Sequence, residues 1–274
     1  MAGDLRVNLR TITATQGVEL LKAVVRSKIL REFVQTIVVV VAIVVGIRTL
    51  LFQPFRIPSG SMENTLLVGD YIIVSKYPYG YSNYSIPFAP DLFSGRIFGS
   101  DPARGDVVVF AYPKNPSIDY IKRIVGLPGD RLRMSGGVLY VNGVPAKQAR
   151  EEDFIETLSE GISRPVPRYS ETFADGRSHD ILDHEANGAF DDTPEFIVPP
   201  GHYFMMGDNR DRSNDSRVPD SGVGFVPAEN IIGRAEFVLS SWECTGDWDC
   251  TARLAEVWTW PWTLRGDRIL HAIK

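Results

Sequence analysis

Three short segments of this chain carry side chains that could act together chemically. The first is Ile57-Pro58-Ser59-Gly60-Ser61-Met62, which sets two hydroxyls between a proline and a glycine. Pro58 fixes one backbone angle and Gly60 frees another, so the hydroxyls sit on an unusual path. A serine nucleophile needs such presentation and a nearby base. On its own the segment suits a linker or a turn equally well. The second is Tyr120-Ile121-Lys122-Arg123-Ile124-Val125. In a strand Lys122 shares a face with Tyr120 and Ile124. An amine held against apolar neighbours loses hydration, and its pKa falls from about 10.4. A fall to about 8 costs roughly 3 kcal/mol and leaves enough neutral amine near pH 7 to accept a hydroxyl proton. The competing reading is a solvated lysine on an amphipathic strand. The third is Gly207-Asp208-Asn209-Arg210-Asp211-Arg212-Ser213-Asn214-Asp215-Ser216-Arg217, dense in short polar and charged side chains. It is either a solvated turn or a hydrogen-bonded scaffold that pairs Asp215 with Arg217 and presents Ser213.

Other chemistries find less support. Of the four histidines, His179, His184, His202 and His271, only His202 precedes a strand where a triad base would fit. No G-x-S-x-G elbow accompanies it. The run DNRDRSND lacks the central glycine and terminal glutamate of a calcium loop, and no Cys/His set has zinc spacing, so neither a metal nor a cofactor is expected. A net charge of −5 gives no footprint for nucleic acid.

The elements that must position these segments follow from the rest of the chain. Phe33 to Phe55 reads FVQTIVVVVAIVVGIRTLLFQPF with Arg48 as its only charge. A helix of about 23 residues reaches roughly 34 Å, enough to cross a hydrocarbon core of about 30 Å. The span is assigned to 33–52, with Pro54 ending the helix. Val18, Leu21, Val25 and Ile29 recur at helical spacing and predict a short amphipathic helix before it. Arg6, Arg10, Lys22, Arg26, Lys28 and Arg31 precede the span, which puts residues 1–32 in the cytoplasm and everything after about 53 outside. The outer part reads as β. Asp70–Lys76, Asp106–Tyr112, Tyr120–Val125, Val138–Asn142, Glu195–Val198, His202–Met206 and Ile231–Leu239 are short, β-branched and bounded by Gly, Pro or Asp. The fold expected is therefore mainly β: an N-terminal transmembrane helix, then an antiparallel catalytic sheet from 53–130 and 199–240. Residues 131–198 form a smaller, loop-rich β cap, whose acidic stretch 146–196 reads as solvated. Residues 241–274 form a Trp-rich extension, in which Cys244 and Cys250 are either bridged, for about 2 kcal/mol in the entropic account, or two free thiols.

Taken in order after an apolar anchor, PSGSMENTLLVGDYIIVSK, RGDVVVFAYP, DYIKRIVGLPGD and GDNRDRSNDSR resemble the type I signal peptidases, over about residues 48–240. The resemblance implies a membrane-bound endopeptidase that removes signal peptides from exported preproteins, cutting after small residues at −1 and −3. It makes Ser61 the nucleophile and Lys122 a neutral general base. Ser59 adds its hydroxyl to the Ser61 N–H in an oxyanion hole, Ser213 orients the lysine, and Asp215 with Arg217 supports that loop. Phe55, Ile57, Pro58, Met62, Leu66, Ile72, Val109, Tyr120 and Ile121 match substrate-pocket positions, where shallow apolar walls exclude bulky side chains. The implied partners are preprotein signal peptides and membrane lipid, near the secretion translocon of a bacterial inner membrane. The chain departs from the family pattern in having one span, in the extra residues Val218–Val223 after Arg217, and in its cysteine pair. Three other readings stay open: His202 as the base, a non-catalytic anchored adaptor, and a peptidase dedicated to one precursor.

Overall fold

The long apolar run forms a single helix, α1, from Ala14 to Leu50. No proline interrupts it, so the amphipathic segment and the span are one helix rather than two. Arg26–Leu50 has a mean hydropathy of 2.3 and none of that span is buried, which makes it long and apolar enough to cross a membrane. The helix stops four residues before Pro54, not at it. The chain turns at Leu51 and enters a strand, β1 (Phe52–Arg56), in which Pro54 stands opposite Ile73. A proline is tolerated there because β1 is the edge of its sheet. The computed structural model describes residues 14–87, 89–90, 92–157, 162–243 and 263–274. Cys244, Cys250 and Trp258, Trp260 and Trp262 lie outside the described residues.

The strands that follow are β2 (Asp70–Ser75), β3 (Val107–Tyr112), β4 (Asn115–Gly126), β5 (Arg131–Ser135), β6 (Val138–Val141), β7 (Val144–Pro145), β8 (Lys147–Arg150) and β9 (Phe154–Thr157). After them come β10 (Ser163–Val166), β11 (Arg168–Thr172), β12 (Ser178–Leu182), β13 (Phe196–Ile197), β14 (His202–Met206), β15 (Phe225–Pro227), β16 (Ile231–Ser241) and β17 (His271–Ala272). One large antiparallel sheet has the order β1-β2-β16-β3-β4-β14-β15, with β17 alongside β16. The intervening lobe holds three small sheets, β13-β5-β6-β7, β12-β11-β8 and β10-β9. The fold is mainly β and antiparallel, as the sequence pattern predicts. The acidic stretch is richer in strands than its composition suggests, and two of its carboxylates, Glu156 and Glu171, are buried. Arg210 pairs with Glu171 and Arg212 with Glu156 from far along the sequence, which local patterning does not reveal, while Arg164 reaches Glu156 from the neighbouring strand.

The large sheet is apolar on both faces. Along β3, Val107 and Val109 enter one core cluster with Ile57, Met62, Leu66 and Ile72, while Val108 and Phe110 enter another with Ile124, Tyr203 and Val226. This alternation follows the two-residue period of a strand. A third cluster, including Leu132, Leu139, Phe173, Val198 and Phe204, lies under the lobe. Two structural units result, the helix up to Gly46 and the β unit from Ile47 onward, and all the chemistry-bearing segments fall in the second.

Candidate active site

The Ser61 turn grows directly out of β1. Pairing with the β2 side continues past the strand, with the Ile57 N–H donating to Asp70 O at 2.8 Å and the Gly69 N–H donating to Ile57 O at 3.1 Å. Ser59 is still extended, and Gly60–Met62 then makes one tight turn closed by the Glu63 N–H donating to Gly60 O at 3.0 Å. Met62 and Leu66 anchor the turn in the core, both at 0% exposure. Asn64 takes a positive φ of 84°, which asparagine tolerates better than most residues. Arginines near the C-terminus hold the loop beyond it. Arg268 pairs with the buried Asp70 (Nη2 to Oδ2, 2.5 Å) and donates to Thr65 O at 3.0 Å, and Arg265 donates to Val68 O at 3.1 Å.

Lys122 reaches this turn from β4, where it stands opposite Val108. Its Nζ lies 2.5 Å from Ser61 Oγ and 3.0 Å from Ile121 O. The residue is 2% exposed, and the Tyr120 ring centroid is 5.6 Å from the amine. Burial pushes the Lys122 pKa down to about 8, against the pull of the Asp215 and Asp208 carboxylates, which favour the charged form. Near neutral pH about a tenth of the amines are then uncharged, with a lone pair free to accept a hydroxyl proton.

The polar run 207–217 is a scaffold and not a solvated turn. Asp215 receives Arg217 through two bonds (Nε to Oδ1 3.0 Å, Nη2 to Oδ2 2.9 Å) and the Gly207 N–H at 3.0 Å. Burial would raise the Asp215 carboxyl, but Arg217 outweighs it and the pKa is lowered. Asp208 is matched in the same way by Arg123 (2.8 and 2.7 Å), with the Thr65 hydroxyl donating at 2.6 Å. Asn209 grips the nucleophile turn itself. Its N–H donates to Ser61 O at 3.2 Å and its Nδ2 to Gly60 O at 3.0 Å. A Cβ on Gly207 would meet Ser61 O at 2.4 Å and Ser213 Oγ at 2.2 Å, so the approach of these three residues requires glycine there.

Ser213 is buried beside this contact, but its hydroxyl has no hydrogen-bond partner among the described residues, so the expected bond to the Lys122 amine is not formed. Ser59 precedes the turn, partly buried, and makes no capping bond. Ile57, Met62, Leu66, Ile72, Val109 and Ile121 share one packed cluster, with Phe55 against it. Pro58 is exposed, and Tyr120, whose ring flanks the Lys122 amine, packs with the second core cluster beside Tyr112. His202 is away from this site in the contacts it makes, its Nδ1 lying 2.9 Å from Pro200 O.

A family model described as signal peptidase, peptidase S26, matches residues 30–242. The chain belongs to that family. Within the family it is similar to signal peptidase I of Rickettsia typhi (strain ATCC VR-144 / Wilmington), at 43% identity over 77% of this chain and 80% of the relative. It is also similar to signal peptidase I of Rickettsia prowazekii (strain Madrid E), at 42% identity over 77% and 80%. A crystal structure of a signal peptidase I from Enterococcus faecalis V583 shares 28% identity, covering 49% of this chain and 97% of that one, with a TM-score of 0.28. The family's relatives and the apolar helix make this a membrane-anchored hydrolase of the serine type.

Sequence reasoning missed Gly207, Asn209, the Arg123–Asp208 pair and the two tail arginines. Asn209 and Gly60 are 149 positions apart, and Arg268 and Asp70 are 198. The signal that was present is the clustering of charge after Gly207 with few partners nearby, which asks for partners elsewhere.

Proposed function

We propose that this chain removes signal peptides from exported preproteins by acyl-enzyme chemistry at Ser61, with neutral Lys122 as general base. The observation that carries the reading is a lysine amine, shut from water, within 2.5 Å of a serine hydroxyl on a core-anchored turn. Ser61 Oγ attacks the carbonyl carbon of the scissile bond and passes its proton to Lys122 Nζ. The carbonyl oxygen becomes an oxyanion, met by the Ser61 N–H and the Ser59 hydroxyl. As the intermediate collapses, the ammonium returns its proton to the leaving amine. Water then attacks the acyl-enzyme, Lys122 takes its proton, and Ser61 is regenerated. The Ile121 carbonyl holds the lysine amine at 3.0 Å, and the Asp215–Arg217 pair keeps the adjoining loop in register. No metal or organic cofactor enters this chemistry.

The substrate segment binds extended. The β14 side of β4 is paired only from Arg123 onward, so Asn115–Lys122 has a backbone edge on that side with no strand partner among the described residues, and it ends at the lysine that touches the Ser61 turn. A peptide strand added there runs beside the exposed Pro58 and the partly buried Phe55 and Tyr120, over the closed cluster that includes Ile57, Met62, Leu66, Ile72, Val109 and Ile121. On this reading that shallow apolar wall selects small side chains at −1 and −3. The basic residues that precede the apolar span support an orientation with the N-terminus in the cytoplasm and the β unit outside, on a bacterial inner membrane. There it meets preproteins held by their own apolar segments, beside the secretion translocon.

The test is purified full chain in detergent with a preprotein. Ser61→Ala and Lys122→Met each lower turnover by about a thousandfold or more. His202→Ala leaves it unchanged. Processing by both Ser61→Ala and Lys122→Met would overturn the mechanism, and a function that survives Ser61→Ala unaltered would identify an adaptor instead.

A further inference from the structure

We propose that Glu171, on the lobe inserted between β4 and β14, is a positioning residue for the Ser61 reaction. This rests on the Ser61–Lys122 reading above. Glu171 lies in β11, between Gln148 of β8 and His179 of β12, and is 0% exposed. Both of its oxygens accept from Arg210, from Nη1 at 3.0 Å and from Nη2. Gln148 Nε2 adds a bond of 3.4 Å to the same carboxylate. Arg210 stands directly after Asn209, the residue that holds Gly60 O and Ser61 O. Its own carbonyl accepts from Arg217 Nη2 at 2.6 Å, and Arg217 in turn grips the Asp215 that receives the Gly207 N–H. One buried carboxylate on the lobe thus fixes a guanidinium from which two routes run to the nucleophile turn, one through Asn209 and one through Arg217, Asp215 and Gly207.

The rest of the lobe converges on the same short segment. The Leu182 N–H donates to Asp208 O at 2.8 Å, and the His184 and Glu185 N–H groups donate to Asp211 Oδ2 at 2.7 and 3.0 Å. Glu156 of β9 pairs with Arg212 at 2.5 Å. Among the ion pairs of these contacts, Glu171–Arg210 is buried on both sides, with side chains 0% and 5% exposed, and it stands beside Asn209, which Leu182 flanks through a backbone bridge. The other ionic tie, Glu156–Arg212, has its arginine 44% exposed and works in high dielectric. A shift of about 1 Å between a reacting group and its base costs on the order of a hundredfold in rate. Glu171 therefore acts on turnover through loop position, without touching the substrate.

The experiment compares full-length variants in detergent on one preprotein, with kcat, KM and melting temperature read together. Glu171→Gln alone strands a buried guanidinium and can unfold the lobe. The informative protein is therefore Glu171→Leu combined with Arg210→Met, which removes both charges and keeps the volume. It is expected to melt within a few degrees of wild type, to hold KM within twofold and to lose kcat by thirtyfold or more. Glu171→Asp, which keeps the pair but draws it in by one methylene, is expected to lose about tenfold in kcat with KM unchanged. Glu195→Gln, in the exposed Arg131–Glu195 pair of the same lobe, serves as the control and keeps wild-type turnover. Wild-type kcat in whichever of the first two variants is folded overturns the proposal. Ser61→Ala is assayed alongside. Cleavage by that variant would sink the catalytic reading, whereas an inactive Ser61→Ala with fully active Glu171 variants would sink only the role of Glu171.

Discussion

Two buried lysines in this protein have pKa values pushed down to about 8, and their surroundings assign them different work. Lys76 is held down by burial and by the neighbouring Arg48 charge, and its amine donates to the carbonyls of Arg48 (2.6 Å) and Ser85. Those acceptors need N–H donors, and neither has a proton to give back. Lys122 instead faces a hydroxyl, which does. A low pKa without such a partner makes a cap and not a base. The sign of the pH dependence follows. Below about 8 the Lys122 amine is charged and cannot accept the Ser61 proton, so kcat/KM should fall about tenfold per pH unit on the acid side, read from initial rates between pH 5.5 and 9. A flat profile through that range would exclude this amine as the base. The same shift sets a stability effect. Between pH 8 and about 10.5 the unfolded chain holds a proton that the folded chain has released, so stability rises with pH across that window. Below it the cost of a charged, buried amine is fully present, roughly 3 kcal/mol. Lys122→Met removes that cost, and we expect a higher melting temperature at pH 7 in a protein that no longer turns over. A marked drop in melting temperature would mean that the site stabilises the ammonium.

At the scale of elements, the site is a meeting of an edge turn, a central strand and a polar loop, and the loop is the least forgiving of the three. Gly207→Ala forces a carbon to within 2.4 Å of Ser61 O, so either the turn or the loop must move. The expected result is a loss of a hundredfold or more in kcat with a far-UV spectrum unchanged, because the strands on either side do not depend on that approach. Activity within threefold of wild type would mean the two segments are looser than their hydrogen bonds suggest. The contrast also accounts for what could be read from the chain in advance. Ser61 and Lys122 could be picked out as candidates from their own segments, but each segment alone also fitted a turn or a solvated strand, and it is the ordered set of motifs, through its resemblance to one family, that singled the two out. The strands were legible from their local period and punctuation. Asn209 and Glu171 were not, since their meaning lies in partners 149 and 39 positions away. The acidic lobe read as solvated because its excess charge is visible in composition, while the arginines that neutralise its two buried carboxylates come largely from outside it. Pro54 was read as a helix stop, since Pro is a strong breaker in a helix and an unremarked guest on the edge of a sheet.

For the whole molecule, the division into a helix and a β unit makes a direct prediction. Among the described residues every strand lies after Ile47, and the carbonyls of Arg48 and Leu50 are already held by Lys76 and by the Tyr81 hydroxyl (2.6 Å). A chain beginning at Ile47 keeps those capped groups. It should cleave a short soluble peptide at the full-length rate, yet lose at least tenfold on a preprotein embedded in vesicles, as measured by comparing the two substrates at matched concentration. Equal loss on both would show that the helix supports folding as well as anchoring. The edge strand β1 has a further consequence. Anchored proteins share a two-dimensional surface, where collisions between identical sheet margins are frequent and orientations are restricted. An open margin of free amides would invite copies to zip together. Pro54, set mid-strand with no amide hydrogen to offer, interrupts that ladder and so acts as a gatekeeper against self-polymerisation in the crowded bilayer plane.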